Sequence, residues 1–431
     1  MASGPLNGYA LCVTPYSLLA TRHSSLATAM DDYRWLIGND AAPWLAEAAD
    51  ASRSLVARAG QLRRRLSASR ARLVLEQAEL RRRAAEKFPQ AAQMFFTRKG
   101  FEQATDAWVA GYKAARFAEG EAVADLCCGI GGDLLAIALR GPAVGVERDP
   151  VVALLAEANL RTLGQAAPGM AAGVRAADAS EVALEDFAAW HVDPDRRPAG
   201  HRTTHVEFHE PGPAAIDQWL ARCPDAAIKL APAAELPEHW GRVAEAEWIG
   251  RDRQCRQLVA WFGRLARHEG RRSATVLVRT RGGMGVSART VVETEGPALP
   301  LGGRLGRYLL EPDPAVLAAN LAGVLAAEHG LEALLPGGGY LTGDRPVVDD
   351  PALACFEVLE SLPFDLKRLK QLLAARDIGP LEIKKRGVAE DPQSLRRRLR
   401  LRGAQAAVLV IAPVGHSVTA MICRRRMKDE G

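Results

Sequence analysis

The sequence predicts an α/β protein built on a doubly wound parallel sheet, with a helical region before it and a small α/β module after it. Three observations carry this. The stretch from Ala122 to Pro150, AVADLCCGIGGDLLAIALRGPAVGVERDP, reads as strand, glycine turn, helix and second strand with an acid at its tip. Short apolar runs then alternate with helical runs as far as Arg279, the pattern of parallel strands joined by crossovers. Basic residues collect near both ends of the 431-residue chain, and acids in its middle.

Residues 1–115 read as a helical N-terminal region. Asn39 or Asp40 caps a helix with Pro43 in its first turn, and a long helical reading follows with a break near Gly60. Leu55, Leu62, Leu66, Leu73 and Leu80 form one apolar stripe. Arg63–Arg65, Arg70, Arg72 and Arg81–Arg83 fall largely outside it, which predicts a basic solvent side. Phe88-Pro89 ends the run. Ala104–Phe117 is a further helix, capped by Thr105 or Asp106.

Residues 116–285 form the central unit. Ala122–Asp125 is a buried strand end, and the chain turns through Gly129, Gly131 and Gly132. Asp133–Arg140 is helical and stops at Gly141-Pro142. Ala143–Val146 is the second strand, ending at Glu147. Such a unit holds a nucleotide-like ligand at the carboxyl edge of the sheet, where the acid accepts ribose hydroxyls. A dinucleotide fold has G-x-G-x-x-G here, with pyrophosphate on the helix N-terminus. Gly129 and Gly131 fit, but the third position is Leu134, and Asp133 opposes a phosphate. A sulfonium ligand such as S-adenosylmethionine carries positive charge, so Asp125 and Asp133 suit it better.

The alternation continues. Asp149 and Pro150 start a helix that reaches Leu163. Gly173–Ala177 is a third strand, ending at Asp178. Ala189–Val192 is a fourth, ending at Asp193-Pro194. Ala226–Leu230 is a fifth, a helix is expected around Arg253–Ala266, and Ala274–Arg279 is a later strand. Glu147, Asp178 and Asp193 thus lie just past strand carboxyl ends. His201, His205 and His209 are spaced by four, but Pro198, Gly200, Pro211, Gly212 and Pro213 make this a loop rather than a metal-bearing helix. No metal is expected. Seven scattered cysteines argue against a disulfide framework, and adjacent Cys127 and Cys128 read as packing in the turn.

Residues 286–360 read as a glycine-rich connector with strand-like pieces and a helix over Ala315–His329. Residues 361–431 read as a compact module. Leu366, Leu369, Leu372 and Leu373 mark a helix, Leu381–Lys385 a strand and Gln393–Arg400 a second helix. Ala406–Ala412 and Ser417–Cys423 are the last strands. Arg396, Arg397 and Arg398 lie on the outside of this module.

DLCCGIGGD and GVERDP resemble motifs I and II of class I S-adenosylmethionine-dependent methyltransferases. The acid-x-x-Cys-Gly-x-Gly-Gly turn is similar to that of the RNA cap guanine-N2 type. ATDAWVAGYKAARF resembles the helix before the first strand there, and the chain from Phe364 resembles the THUMP-like domain of some bacterial methyltransferases. The resemblance implies a Rossmann-like methyltransferase sheet, S-adenosylmethionine as cofactor and methylation of an RNA base. It places Cys127, Gly129 and Gly131 under the methionine part, with Asp125 and Asp133 toward its amino group. Glu147 takes the ribose hydroxyls, Asp178 takes the adenine amino group, and Thr105 lies near the cofactor. Asp193-Pro194-Asp195-Arg196-Arg197 occupies motif IV, beside the transferred methyl group. Amino-group enzymes usually have Pro-Pro and an aromatic residue after the first position. Here Asp195 and Arg196 stand instead, so no ring stacks on a base. Asp193, Pro194 and Arg196 are the catalytic candidates, and Arg197 and Lys229 the substrate contacts.

Net charge is +5, unevenly spread. Ser52–Gly100 holds 13 Lys and Arg against 3 acids, and Phe364 to the end holds 16 against 7. Basic ends of this kind attract a polyanion, so RNA is the expected partner, with tRNA and rRNA as candidates, docked in part by Arg396–Arg398. A catalytically inactive RNA binder, or a methyltransferase of a small molecule or protein, are the alternatives. No apolar run approaches a bilayer span, and a cytoplasmic, membrane-free protein is expected.

Overall fold

In a computed structural model of the chain, the described residues are 27–52, 54–164, 171–196, 203–280, 285–295, 299–302 and 304–427. The chain divides into two units, Met1–Ala188 and Ala189–Gly431.

The first unit opens with helices α1 (27–37), α2 (Ala42–Ala49), α3 (Leu55–Arg63) and α4 (Ala68–Ala84). Leu36, Leu45, Leu62, Leu73 and Val74 bury together among them. The helix break lies at Arg64–Ser67, and Gly60 stays inside α3. Ser67 decides this: its hydroxyl accepts the Arg70 N–H at 3.3 Å and starts α4. The expected basic solvent side is present, since Arg63, Arg64, Arg65, Arg72, Arg82 and Arg83 are exposed while Arg70 and Arg81 are half-buried, but several of these arginines also pack on rings. Arg65 lies over Trp44 and Arg70 over Trp35, at 4.5 and 4.7 Å from the ring centroids. Arg70 also donates to Asp32. Arg81 lies over Phe95 and donates to the Met94 carbonyl, and burial lowers its pKa to about 10. Arg83 lies over Phe101. Weakly hydrated guanidinium planes pack on rings readily, and aromatic residues distant in sequence supply the rings.

After α5 (Arg98–Gln103) and α6 (Ala107–Ala114) come β1 (Val123–Leu126), α7 (Leu134–Ala138), β2 (Ala143–Glu147), α8 (Pro150–Arg161) and β3 (Ala172–Ala176). β1, β2 and β3 are parallel, and Asp125 lies in register with Gly145. Asp149 caps α8 through the N–H groups of Val151 and Val152, with Pro150 in the first turn. Asn159 on α8 is fully buried. Its side-chain oxygen accepts the Phe95 N–H at 2.7 Å, and its amide donates to the Phe95 and Ile130 carbonyls at 3.0 and 2.9 Å. One side chain therefore ties the N-terminal segment to the glycine turn.

In the second unit β4 (Ala189–Val192), α9 (Pro213–Arg222), β5 (Ala226–Leu230) and α10 (Glu238–Gly241) lead to β6 (Glu245–Arg251), β7 (Gln254–Trp261), β8 (Arg272–Arg279) and β9 (Val286–Val292). Their order is β4-β5-β7-β6-β8-β9. β7 stands where a helix was expected, and it runs antiparallel to both β5 and β6. The reason is local. Asp252 and Arg253 both adopt left-handed backbone, with φ of 52° and 57°, which turns β6 tightly into β7. Leu258 to Trp261 then bury on both faces of the sheet. The sheet here is mixed rather than wholly parallel.

The expected connector is also corrected. β9 pairs with β8. β10 (Tyr308–Pro312), α11 (Pro314–Ala318), α12 (Ala322–His329), β11 (Glu332–Ala333), β12 (Leu341–Gly343) and β13 (Leu353–Pro363) follow. β10, β11, β12 and β13 belong to a second sheet with β14 (Ile378–Lys385), β15 (Gln405–Val414) and β16 (Ser417–Arg426), in the order β11-β12-β10-β13-β16-β15-β14. Pairing with β16 brings β13 into the C-terminal module, so its sheet begins before Pro363. Helices α13 (Leu366–Ala375) and α14 (Pro392–Leu399) cover one face, burying Leu369, Leu373, Leu395 and Leu399 on Leu409, Ile411, Ala420 and Ile422. Val408, Val410, Met421 and Cys423 point the other way, onto Tyr340 and Phe356. This is the strand period of two, with both faces apolar. Arg253 joins the two sheets by donating to the Glu311 and Pro312 carbonyls at 3.0 and 3.1 Å.

Asn159→Ala leaves three backbone groups without their bonds, the half-buried N–H and carbonyl of Phe95 and the buried carbonyl of Ile130. It should lower the free energy of unfolding by about 2–4 kcal/mol, as read by urea denaturation. A loss under about 0.5 kcal/mol would show that these bonds do not hold the first unit together.

Candidate functional site

The glycine turn is shaped by its backbone. Cys127, Gly129 and Gly131 all have positive φ, at 55°, 55° and 88°. Glycine accepts this freely, whereas Cys127 holds it at a cost of about 1–2 kcal/mol, a strain found where a site demands it. Gly132 is required for another reason: a Cβ there would lie 3.0 Å from the Thr105 carbonyl oxygen and 3.1 Å from its nitrogen. The helix before β1 therefore presses directly on the turn. A Cβ at Gly129, by contrast, would meet nothing within 4 Å. The turn opens at that point.

The acids around it have distinct surroundings. Asp125 is buried near the end of β1. Asp133 is also buried, with Lys113 Nζ at 2.7 Å from one oxygen and the Thr105 hydroxyl donating at 2.6 Å to the other. Lys113 is 2 % exposed and was not singled out from the sequence. Thr105 thus bonds to Asp133, and Asp106 is the residue that caps α6, through Trp108 and Val109. Glu147 accepts the Gly129 N–H at 3.1 Å and the Asp149 N–H at 3.0 Å, which aims its carboxylate over the turn. Burial raises its pKa above the ordinary 4.5, against the pull of those two bonds. Asp178 is exposed and accepts both the N–H and the hydroxyl of Ser180, which lower its pKa. Burial, reinforced by Asp125 and Glu147, pushes the Cys128 thiol well above its usual value, so it stays protonated.

In the second unit the structure brings Asp193 and Lys229 together. Val192 is in register with Ile228, so the next residues on these parallel strands are neighbours. Lys229 Nζ lies 2.6 Å from Asp193 Oδ2. Asp195 and Glu210 exchange backbone bonds at 2.8 and 3.0 Å, and the Thr203 N–H donates to the Arg196 carbonyl at 3.0 Å. The motif IV segment is thereby folded back into a small hairpin, with Pro194 buried. His209 is buried beside it, and desolvation lowers its pKa. Its Nε2 faces the Thr203 carbonyl at 3.3 Å. Arg197 and His201 lie outside the described residues. Arg396, Arg397 and Arg398 are exposed on α14, far from these groups in sequence.

A Rossmann-like α/β fold with this turn and acid pattern defines a nucleotide-type cofactor site. The comparisons give the class. The chain is 38% identical over 370 residues to an uncharacterized S-adenosylmethionine-dependent methyltransferase of Mycobacterium tuberculosis strain H37Rv, covering 82% of this chain and 97% of the relative. The same match is found in strain CDC 1551. The chain belongs to this family of S-adenosylmethionine-dependent methyltransferases. Residues 353–425 match the family described as THUMP domain-like. A crystal structure classed as a methyltransferase from Porphyromonas gingivalis W83 shares the fold, with a TM-score of 0.69 at 21% identity, over 84% of this chain and 92% of that one. The cap guanine-N2 subtype does not appear among these matches. Among the described residues, no helix is long and apolar enough to cross a membrane.

The residues present fit S-adenosylmethionine. From Asp125 to Glu147 the chain has three acids and a single cation, Arg140, at the far end of the helix. That donor set disfavours phosphate and suits a ligand carrying a sulfonium and an ammonium. The open space at Gly129 and the carboxylate aimed there by two N–H groups suit a ribose. When bound, the cofactor supplies an activated methyl group.

A pH test follows for Glu147. Ribose hydroxyls donate, so they need the ionised carboxylate. A raised pKa means that this form is lost as pH falls, beginning above the ordinary 4.5. Calorimetric titration of S-adenosylhomocysteine should show affinity declining on that acid side. Glu147→Gln should bind about 1–3 kcal/mol more weakly at pH 7 and lack the decline. Equal affinities in the two proteins would remove Glu147 from the cofactor site.

Proposed function

We propose that the protein methylates RNA, using the C-terminal module to dock it. One observation carries the docking reading. Six cations, Lys367, Arg368, Lys370, Arg396, Arg397 and Arg398, are all exposed on the two helices that cover one face of that module. Their leucines face the sheet, so amphipathicity turns the charges outward. Glu390 pairs with Arg398 at 2.6 Å, and among the described residues the other five make no ion pair. The THUMP-like match over the same residues supports the same reading. The N-terminal arginines do not add to it equally, because four of them lie over rings.

In this reading Asp125, Cys127, Gly129, Gly131 and Glu147 hold the cofactor, and Asp133 braces the turn. Asp178 lies on the adenine side. Asp193 and Pro194 orient the acceptor, with Lys229 behind Asp193. Arg196 and Arg197 grip the RNA backbone. Transfer is an in-line displacement, so alignment of acceptor, methyl and departing sulfur supplies much of the rate.

Charge reversal tests the docking. Changing Arg396, Arg397 and Arg398 together to Glu alters only exposed side chains, so the fold should survive. RNA affinity should drop, and the slope of log affinity against log salt should flatten by about 2, the release expected for three lost phosphate contacts. S-adenosylhomocysteine affinity should not change. An unaltered salt slope in the folded variant would make this cluster a solvated helix face.

A further inference from the structure

We infer that the acceptor atom is a hydroxyl oxygen, which on RNA is the ribose 2′-hydroxyl, and that the Asp193–Lys229 pair is what selects it. The inference rests on the proposed role of Asp193 in orienting the acceptor, and it replaces the base amine suggested by resemblance.

Three observations lead here. Lys229 Nζ lies 2.6 Å from Asp193 Oδ2, and the pair stands at the tips of two adjacent parallel strands. Lys229 is nearly buried, whereas the Asp193 side chain is 25% exposed. The ammonium thus lies behind a carboxylate that still faces outward. The backbone of Asp195 is already bonded to Glu210 in both directions, and Arg196 stands where an aromatic ring would hold a base.

Charge separates the two acceptor classes. An amine becomes cationic as it gains a methyl group, before it sheds a proton. A fixed ammonium nearby opposes that change. A hydroxyl must lose its proton, and its oxygen gains negative character on the way. The same ammonium favours that change. Hydrogen bonding points the same way. An exocyclic amine brings two N–H donors that need acceptors. Asp193 already gives one oxygen to Lys229, and one lone pair of the Asp195 carbonyl is taken by Glu210, so the acceptors left near Asp193 are few. A hydroxyl brings one donor, which the remaining Asp193 oxygen can accept.

The step balances. The acceptor oxygen bonds to the methyl carbon as the carbon–sulfur bond breaks, and that bonding pair stays on sulfur, which becomes a neutral thioether. The hydroxyl proton passes to Asp193 and then to solvent. No further reactant is needed. Lys229 acts here as a positioning residue: it holds the carboxylate in place and supplies the field.

The test uses the full chain, methyl-labelled S-adenosylmethionine and cellular RNA, with matched RNA and DNA oligonucleotides. Products are digested to nucleosides, and mass spectrometry after cleavage of the glycosidic bond separates sugar from base. The expected result is label on the ribose and none on the DNA. Label on a base, or on a protein amine, would overturn the inference while leaving a methyltransferase. Label on a hydroxyl of a small molecule, with none on RNA, would overturn the RNA reading and keep the hydroxyl. Transfer to no pool at all would overturn both. Lys229→Met should lower kcat by about 100-fold, the lower end for positioned proton-transfer groups, with the affinities for RNA and S-adenosylhomocysteine unchanged. Lys229→Arg should restore part of the rate. Loss of both affinities together with kcat in Lys229→Met, without rescue by Arg, would reduce the pair to a structural ion pair.

Discussion

The cofactor end of the protein depends on one buried ion pair. Lys113 and Asp133 are 2.7 Å apart and almost wholly removed from water, and Thr105 supplies a further bond to the same carboxylate. Desolvating two charges is expensive, so such a pair adds little net stability over an apolar one. Breaking it is different, because removal of one partner strands a buried charge at a cost of about 3–5 kcal/mol. The pair therefore acts as a register mark. It fixes α6 against the start of α7, at the place where Gly132 lets the two backbones approach. Asn159 holds the other side of the turn through the Ile130 carbonyl. Between these two clamps lie Gly131, whose positive φ of 88° glycine accepts freely, and Gly132.

This changes how the acids of the turn are read. By sequence, Asp125 and Asp133 are alike, two carboxylates beside glycines that favour a cationic ligand. In the structure the charge of Asp133 is balanced by Lys113, while Glu147 is aimed by two backbone N–H groups and keeps a raised pKa. Glu147, whose charge is disfavoured by burial, is placed to gain from a donor that reaches its carboxylate. Such an arrangement keeps the site responsive to binding instead of satisfied without it.

Legibility in the sequence followed the range of the interactions. The β1–turn–α7–β2 unit, the Asp149–Pro150 helix start and the last two strands depend on neighbours a few residues away, and their signals are local. The β6–β7 hairpin was hidden because its turn residues, Asp252 and Arg253, carry no glycine to announce positive φ. Lys113 reads as a surface lysine on a helix until Asp133, twenty residues on, is placed beside it. Asn159 has three partners, none nearer than 29 residues in sequence. The Asp193–Lys229 pair spans 36 residues, and strand register alone creates it. Each acid or cation was visible, but its partner was not.

The two basic regions show the same limit in charge counting. Both carry a similar excess of cations, yet they differ in what surrounds those cations. The N-terminal region contains Trp35, Trp44, Phe95 and Phe101, and four of its arginines, Arg65, Arg70, Arg81 and Arg83, lie over them. A guanidinium held on a ring, and in Arg81 pushed down to about 10 by burial, serves packing first. Helices α13 and α14 contain no aromatic residue, and their apolar face is all leucine turned inward. Nothing in that face can take a cation out of solvent, so the charges remain outside. An arginine run is thus a docking surface or a packing device according to the rings within reach. In this chain four arginines of the first region lie over rings, as do Lys384, Arg386 and Arg425 of the second, whereas the six cations of α13 and α14 stay in solvent.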